Sequence, residues 1–333
     1  MRPSLPAVMT AIQISAPGAA DVLQPQQVPV PAPRPGEVLI HVRAAGVNRP
    51  DVLQRQGNYP IPPGANPLPG LEVAGTVAAI GEGVTTHAVG DEVCALTNGG
   101  GYAEYCVAPE GQVLPIPQGV SMLQAAAIPE TFFTVWANLF QLGHARRGEV
   151  ALIHGGTSGI GTTALMLCRE FGLRAFATAG GIEKCEAIRE LGGEPINYRQ
   201  ESFVEVVLAR TEGRGADVIL DIMGAAYFAD NLATLARDGR LLLIGFLGGG
   251  TAEHVNLHSI MTKRAVVTGS AMRPRSTQEK AAIAASLKEH VWPLLAQGRC
   301  LPMIHASYPL VRAADAHREM ESSQHIGKIV LVT

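Results

Sequence analysis

The segment "VALIHGGTSGIGTTALMLCREFG" (residues 150–172) decides how this chain is read. It opens with an apolar run, turns on a cluster of glycines, and continues with apolar side chains at helical spacing. That order is a strand, a tight turn and a helix. Downstream, further strand-like runs recur at 174–180, 194–198, 216–224, 240–249 and 264–272. Helical patterns such as "TTALMLCREFG", "IEKCEAIRELG" and "SFVEVVLARTEG" lie between them. Counting 150–156, six strands alternate with helices, which predicts an α/β fold with a doubly wound parallel sheet. The strands are apolar throughout, as in a sheet covered on both faces.

Upstream of residue 128 the texture differs. Prolines and glycines punctuate short strand-like runs: "GEVLIHVRAAGVN", "EVAGTVAAIG", "GDEVCAL" and "GYAEYCVAP". This spacing predicts an all-β barrel or sandwich. After the sixth strand come the amphipathic "TQEKAAIAASLKEHVWPLLAQG" and a strand-like "GKIVLVT", which are expected to return to the first domain. The expected organisation is therefore a β-rich domain at 1–128 with a return at 273–333, and a nucleotide-fold domain at 129–272. A chain of 333 residues, 47% hydrophobic and 17% charged, can bury cores for about two domains.

Net charge of -3 gives no electrostatic reason to expect nucleic acid. No apolar run reaches the roughly 18 residues of a membrane span. The N-terminal "MRPSLPAVMTAIQI" is interrupted by Pro3 and Pro6, so a poorly ordered tail is expected there in place of a signal peptide. The five cysteines are scattered and form no CxxC, which fits a reducing cytoplasm.

A glycine turn between a strand and a helix suits a pyrophosphate. Close backbone approach and the amides at the helix N-terminus favour the anion. Gly156, Thr157, Ser158, Gly159, Ile160 and Gly161 are the expected contacts. At the end of the second strand, where NAD enzymes often carry a carboxylate, this chain has Gly180 and Gly181. Lys184 and Tyr198 are placed to meet a ribose 2′-phosphate, so NADPH is the expected cofactor.

The same glycine letters open the short-chain dehydrogenases, whose chemistry uses a tyrosine with a lysine four positions later. None of the six tyrosines has that neighbour. The chain instead resembles the zinc-free quinone oxidoreductase (zeta-crystallin-like) group of the medium-chain dehydrogenases/reductases, most closely its tumour-suppressor-inducible branch. The resemblance is carried by "AAGVNRPDVLQRQGNYPIPPGA", "PLPGLEVAGTVAAIGEGV", "LPIPQGVSMLQAAAIPETFFTVW", "HGGTSGIGTTAL", "GADVILDIMG" and "IGKIVL". It implies a GroES-like β-barrel catalytic domain beside a Rossmann domain, with the reaction in a metal-free cleft between them.

The zinc enzymes of that superfamily carry a cysteine where this chain has Asn48, and "GHE" where it has Leu71 in "GLE". Both ligands are absent, so no metal is expected. His254 and His258 have helical metal spacing but no third ligand. The resemblance implies that Asn48 and Tyr59 line the catalytic site, with Asn48 expected to donate its amide to the acceptor carbonyl or to the cofactor and Tyr59 to stack on the ring and offer its hydroxyl. No further tyrosine follows Asn48 in residues 49–57, which departs from related quinone reductases. By position in the family, Thr134, Phe246 and Leu247 meet the nicotinamide. Lys328, with Arg273 or Arg275, is a candidate partner for phosphate or ribose. Asp221 and Glu72 are expected to be structural carboxylates.

The implied activity is NADPH-dependent reduction of quinones. The alternatives are an enoyl (alkene) reductase acting on α,β-unsaturated carbonyls and, from another class, a cofactor-sensing or RNA-binding module without turnover. A homodimer or tetramer assembled through the last Rossmann strand is implied as well.

Overall fold

A computed structural model describes residues 5–253 and 255–333. Residues 1–4 of the expected N-terminal tail and the expectation for His254 lie outside the described residues, while Val8–Ile14 of the same stretch form a strand. The chain divides into two compact units. One runs to Phe133 and resumes at Arg273–Thr333, and the other is Thr134–Met272. The division falls within the helix Pro129–Val135.

The first unit is built from β1 (Val8–Ile14), β2 (Leu23–Pro29), β3 (Glu37–Val47), β4 (Glu72–Ile80), β5 (Glu92–Leu96), β6 (Tyr105–Pro109) and β7 (Val113–Pro115). The second unit contributes β8 (Val150–Ile153), β9 (Arg174–Ala179), β10 (Glu194–Asn197), β11 (Ala216–Asp221), β12 (Leu235–Leu243) and β13 (Val266–Gly269). The returning chain adds β14 (Ile304–Pro309) and β15 (Lys328–Val332) to the first unit.

In the first unit a seven-stranded sheet has the order β14-β15-β3-β4-β5-β7, with β6 also on β3. β3 serves three neighbours because its eleven residues are long enough to be shared along their length. Its inward residues Val38, Ile40 and Val42 meet Val73, Val77 and Val93 in one core that also takes Leu331 and Met320. The antiparallel register Ile329↔Val47 brings the start of β15 to the end of β3.

The second unit is a six-stranded parallel sheet of order β10-β9-β8-β11-β12-β13. Strand order reverses between β8 and β11, and ligands of such sheets bind beyond the carboxyl ends at that point. The glycine turn after β8 stands there.

All six strands of this sheet end before the runs read from the letters, β8, β11, β12 and β13 by three residues or more. β11 ends at Asp221, where the residues to 224 were expected to continue. There the carboxylate accepts the amides of Met223 (2.6 Å) and Gly224 (3.1 Å) and turns the chain. β12 ends at Leu243, not 249, and begins earlier, at Leu235. Beyond it the amides of Leu247 and Gly248 go to the carbonyls of Ile222 and Met223, forming a loop in place of a ladder. β13 covers only Val266–Gly269 of 264–272. Apolar residues in loops at the carboxyl edge, such as Phe246 and Leu247, look like strand in the sequence.

Candidate active site

In the second unit, helix Gly159–Phe171 begins directly after the turn. Ser158 caps it, its hydroxyl oxygen accepting the Gly161 amide at 3.0 Å while its O–H donates to the Gly155 carbonyl at 2.8 Å. Gly161 is required by space. A β-carbon there would lie 2.2 Å from the Gly155 carbonyl oxygen and 2.6 Å from the Gly156 carbonyl carbon. The helix end therefore presses against the turn. The amides of Gly159 and Ile160, in the first helical turn, have no intrahelical acceptor by geometry and stand at the positive end of the dipole. Gly156 anchors the turn by donating to the Thr178 carbonyl at 2.8 Å, and Thr157 is buried beside it. These groups fit a dinucleotide pyrophosphate.

At the end of β9, Gly180 is crossed by side chains from beyond β10. A β-carbon on Gly180 would meet the Tyr198 hydroxyl at 2.4 Å and Arg199 Nε at 3.3 Å. Nothing lies within 4 Å of the corresponding position at Gly181. Lys184, in helix Ile182–Glu190, has its pKa lowered by burial and then by the charge of Arg199, with Glu183 opposing. Two cations thus gather beside Gly180 and Gly181, a fit for a dianionic phosphate. Arg199 was missed in the sequence, although it follows Tyr198 at the end of the third parallel strand. Thr134 lies in the last turn of helix Pro129–Val135, and its carbonyl accepts from Asn138 Nδ2 at 2.8 Å. Phe246 and Leu247 are 60% and 51% exposed in the loop after β12. Asp221 is buried, and burial raises its pKa to about 6 against the two amides that hold it. It bonds Asn231 Nδ2 at 3.2 Å and is a structural carboxylate.

The first unit holds a buried polar cluster at the β3–β15 junction. Glu72 is fully buried on β4. Its Oε1 accepts from Lys328 Nζ at 2.6 Å and Asn48 Nδ2 at 2.9 Å, while Oε2 accepts the Glu130 amide at 2.9 Å. Lys328 also donates to Asn48 Oδ1 (2.6 Å) and the Val47 carbonyl (3.3 Å). An ammonium has three donors, and all three are used. This corrects the expectation for Lys328: it has no N–H left for a phosphate, and it orients Asn48. The expectation for Asn48 shifts as well. One amide N–H goes to Glu72 and the other points to the Gly46 carbonyl at 3.4 Å. What remains is the second lone pair of Oδ1, so Asn48 offers an acceptor where a donor was expected. Asp51, also buried, accepts the Asn48 amide (2.9 Å) and the Gly70 amide (3.0 Å), and burial raises its pKa to about 6.

Tyr59 follows this cluster in the chain. Burial first, and then Glu130, raise its pKa to about 12, so the phenol stays protonated. Its hydroxyl makes no hydrogen bond to another described residue. The Arg273 guanidinium lies over its ring, 5.5 Å from the centroid. Glu130 has its pKa raised to about 8, by burial and then by Glu72. Neither Glu130 nor the placement of Arg273 was visible in the sequence.

His258 is exposed on helix Leu257–Lys263. Among the described residues no three His, Cys, Asp or Glu stand together as a metal site.

Residues 34–118 match the family described as "Alcohol dehydrogenase GroES-like domain", and residues 191–331 match "Zinc-binding dehydrogenase". The quinone oxidoreductase of Rattus norvegicus is 31% identical over 98% of both chains, and that of Sus scrofa 32% over the same share. A mycobacterial structure complexed with NADPH superposes with a TM-score of 0.86 at 29% identity, covering 98% of this chain and 100% of that one. A CurK enoyl reductase does so with 0.84 at 29%, covering 97% and 99%. With GroES-like and Rossmann units, and homology along nearly its whole length, the chain belongs to the quinone oxidoreductase family of the medium-chain dehydrogenases/reductases and is a nicotinamide-dependent oxidoreductase.

Proposed function

We propose that the enzyme reduces quinones with NADPH. The observation that supports this reading is that Lys184 and Arg199 act on each other beside Gly180 and Gly181, the positions where NAD enzymes often carry a carboxylate. The turn at Gly156–Gly161, with Thr157, Ser158, Gly159 and Ile160, holds the pyrophosphate. Thr134, Phe246 and Leu247 border the nicotinamide end. When bound, NADPH supplies the hydride. Asn48 Oδ1, fixed by Lys328, accepts from the carboxamide or a ribose hydroxyl of the cofactor. Tyr59 donates its hydroxyl to the acceptor oxygen as charge develops there, and its raised pKa keeps the proton in place. No metal is needed for an acceptor as electrophilic as a quinone.

Likeness to an enoyl reductase supports a second reading, reduction of α,β-unsaturated carbonyls on the same residues. Steady-state rates with NADPH and with NADH, using a quinone and a simple enone, test both. Preference for NADH sinks the phosphate argument, and failure with both acceptors sinks the activity. Lys184→Glu and Arg199→Glu are expected to cut the NADPH-to-NADH preference about tenfold or more, the size of one or two charge-assisted hydrogen bonds. The edge strand β13, with Val266 half exposed, and the exposed Leu257 and Met261 of the preceding helix support a homodimer formed through that edge. Light scattering after size exclusion tests it, and a monomer refutes it.

A further inference from the structure

Arg273 opens the returning segment of the first unit and is 5% exposed. Of its five N–H donors, those on Nη1 face Gln54 Oε1 at 2.6 Å. Gln54 is itself held, because its Nε2 donates to the Pro67 carbonyl at 2.9 Å. The Arg273 carbonyl accepts from Lys280 Nζ at 2.9 Å, and Lys280 is buried and anchored to Asn98 Oδ1 at 2.5 Å. Backbone and one side of the guanidinium are thus fixed. Tyr59 supports its face.

The other edge is different. Nε and Nη2 are buried and have no hydrogen-bond partner. These two nitrogens form the side-on fork of the guanidinium, two parallel N–H groups that match two oxygens on one atom. A buried cation with unused donors is destabilising unless a ligand completes it. The titratable groups felt at Arg273 are Tyr59, whose phenol stays protonated, Asp51 and Glu130. Asp51 is already engaged by the amides of Asn48 and Gly70. Glu130, with its pKa raised to about 8, is largely neutral at pH 7. Lys280 adds positive charge behind Arg273. The balance favours an anion.

We propose that the Nε/Nη2 edge of Arg273 is a binding subsite for a carboxylate on the acceptor, so that this enzyme's preferred substrates are acidic carbonyl acceptors. The proposal rests on the reading of Tyr59 as the residue that meets the acceptor oxygen, since Arg273 is stacked on that ring. Tyr59 would meet the reacting carbonyl and Arg273 the acidic substituent. An oxyanion from the cofactor would use the same chemistry, and the test separates the two sources.

The test compares a naphthoquinone bearing a short carboxylate side chain with its methyl ester. Wild-type enzyme is expected to favour the acid, and Arg273→Met to lower the acid-to-ester ratio of kcat/KM at least tenfold. Arg273→Lys, which keeps the charge but loses the fork, should fall between. Because the readout is a ratio, any common loss from altered folding cancels. A ratio unchanged by Arg273→Met overturns the proposal. So does a rise in KM for NADPH with the ratio intact, which assigns the edge to the cofactor. In parallel, thermal shifts of cofactor-free protein are measured with benzoate and methyl benzoate. Benzoate alone should stabilise wild type, and the effect should vanish in Arg273→Met and weaken in Arg273→Lys. Equal shifts with both probes overturn the proposal. If neither quinone is turned over, the quinone reading fails, while the benzoate arm still decides the subsite.

Discussion

Removing the Lys328 ammonium tests the buried cluster most directly. In Lys328→Met, Glu72 keeps the donors from Asn48 Nδ2 and the Glu130 amide but loses its counter-ion at a fully buried position. Breaking a buried pair by deleting one partner costs about 3–5 kcal/mol, because the remaining charge is uncompensated. At ~2–4 °C per kcal/mol for a unit of this size, melting falls by about 6–20 °C. Two units need not unfold together, so a local reporter is required. The two tryptophans lie one in each unit, Trp292 in the one that carries Lys328 and Trp136 in the other. On a Trp136→Phe background, Trp292 fluorescence in urea follows the relevant unit alone. Glu72→Gln combined with Lys328→Met removes the stranded charge and should recover a substantial part of the loss. Asn48, deprived of its Oδ1 partner, should also lose its fixed orientation, and kcat/KM should fall. A cost below about 1 kcal/mol, or a double variant no better than Lys328→Met, would refute the reasoning.

Gly161→Ala should weaken NADPH binding at least tenfold and lower stability, since its β-carbon would enter the Gly155 carbonyl at 2.2 Å; isothermal titration measures it, and unchanged affinity counts against the close turn. Glu130 gives a pH signature. Its folded pKa is raised from 4.5 to about 8, so the stability it contributes is full below about 4.5 and is lost as pH rises toward 8. Urea midpoints of wild type should therefore fall across that window relative to Glu130→Gln, and parallel profiles would oppose the assignment. Tyr59→Phe should lower kcat about tenfold or more with little change in KM for NADPH, as expected of a donor used at the acceptor oxygen.

Much of this protein is legible locally. The apolar strand, glycine turn and capped helix at residues 150–172 specify their own geometry, because each feature depends on neighbours a few positions apart. The same holds for the alternation that builds the parallel sheet and for the missing carboxylate at Gly180 and Gly181. The reading erred where loops beyond β11, β12 and β13 keep apolar residues, since composition does not record where a ladder ends. The polar cluster was not legible. Lys328 meets Asn48 across 280 positions and Glu72 across 256, and only the register Ile329↔Val47 brings them together. Asn48 thereby changes from a donor to an acceptor, and Lys328 from a phosphate partner to an anchor. Arg273 in the letters is one of two candidate cations for a phosphate or ribose, until packing lays it over Tyr59, fixes one edge on Gln54 and buries the other unpaired. Periodicity sets which faces are buried, but pairing of distant strands decides which charges are buried together, and that pairing sets the chemistry of this site.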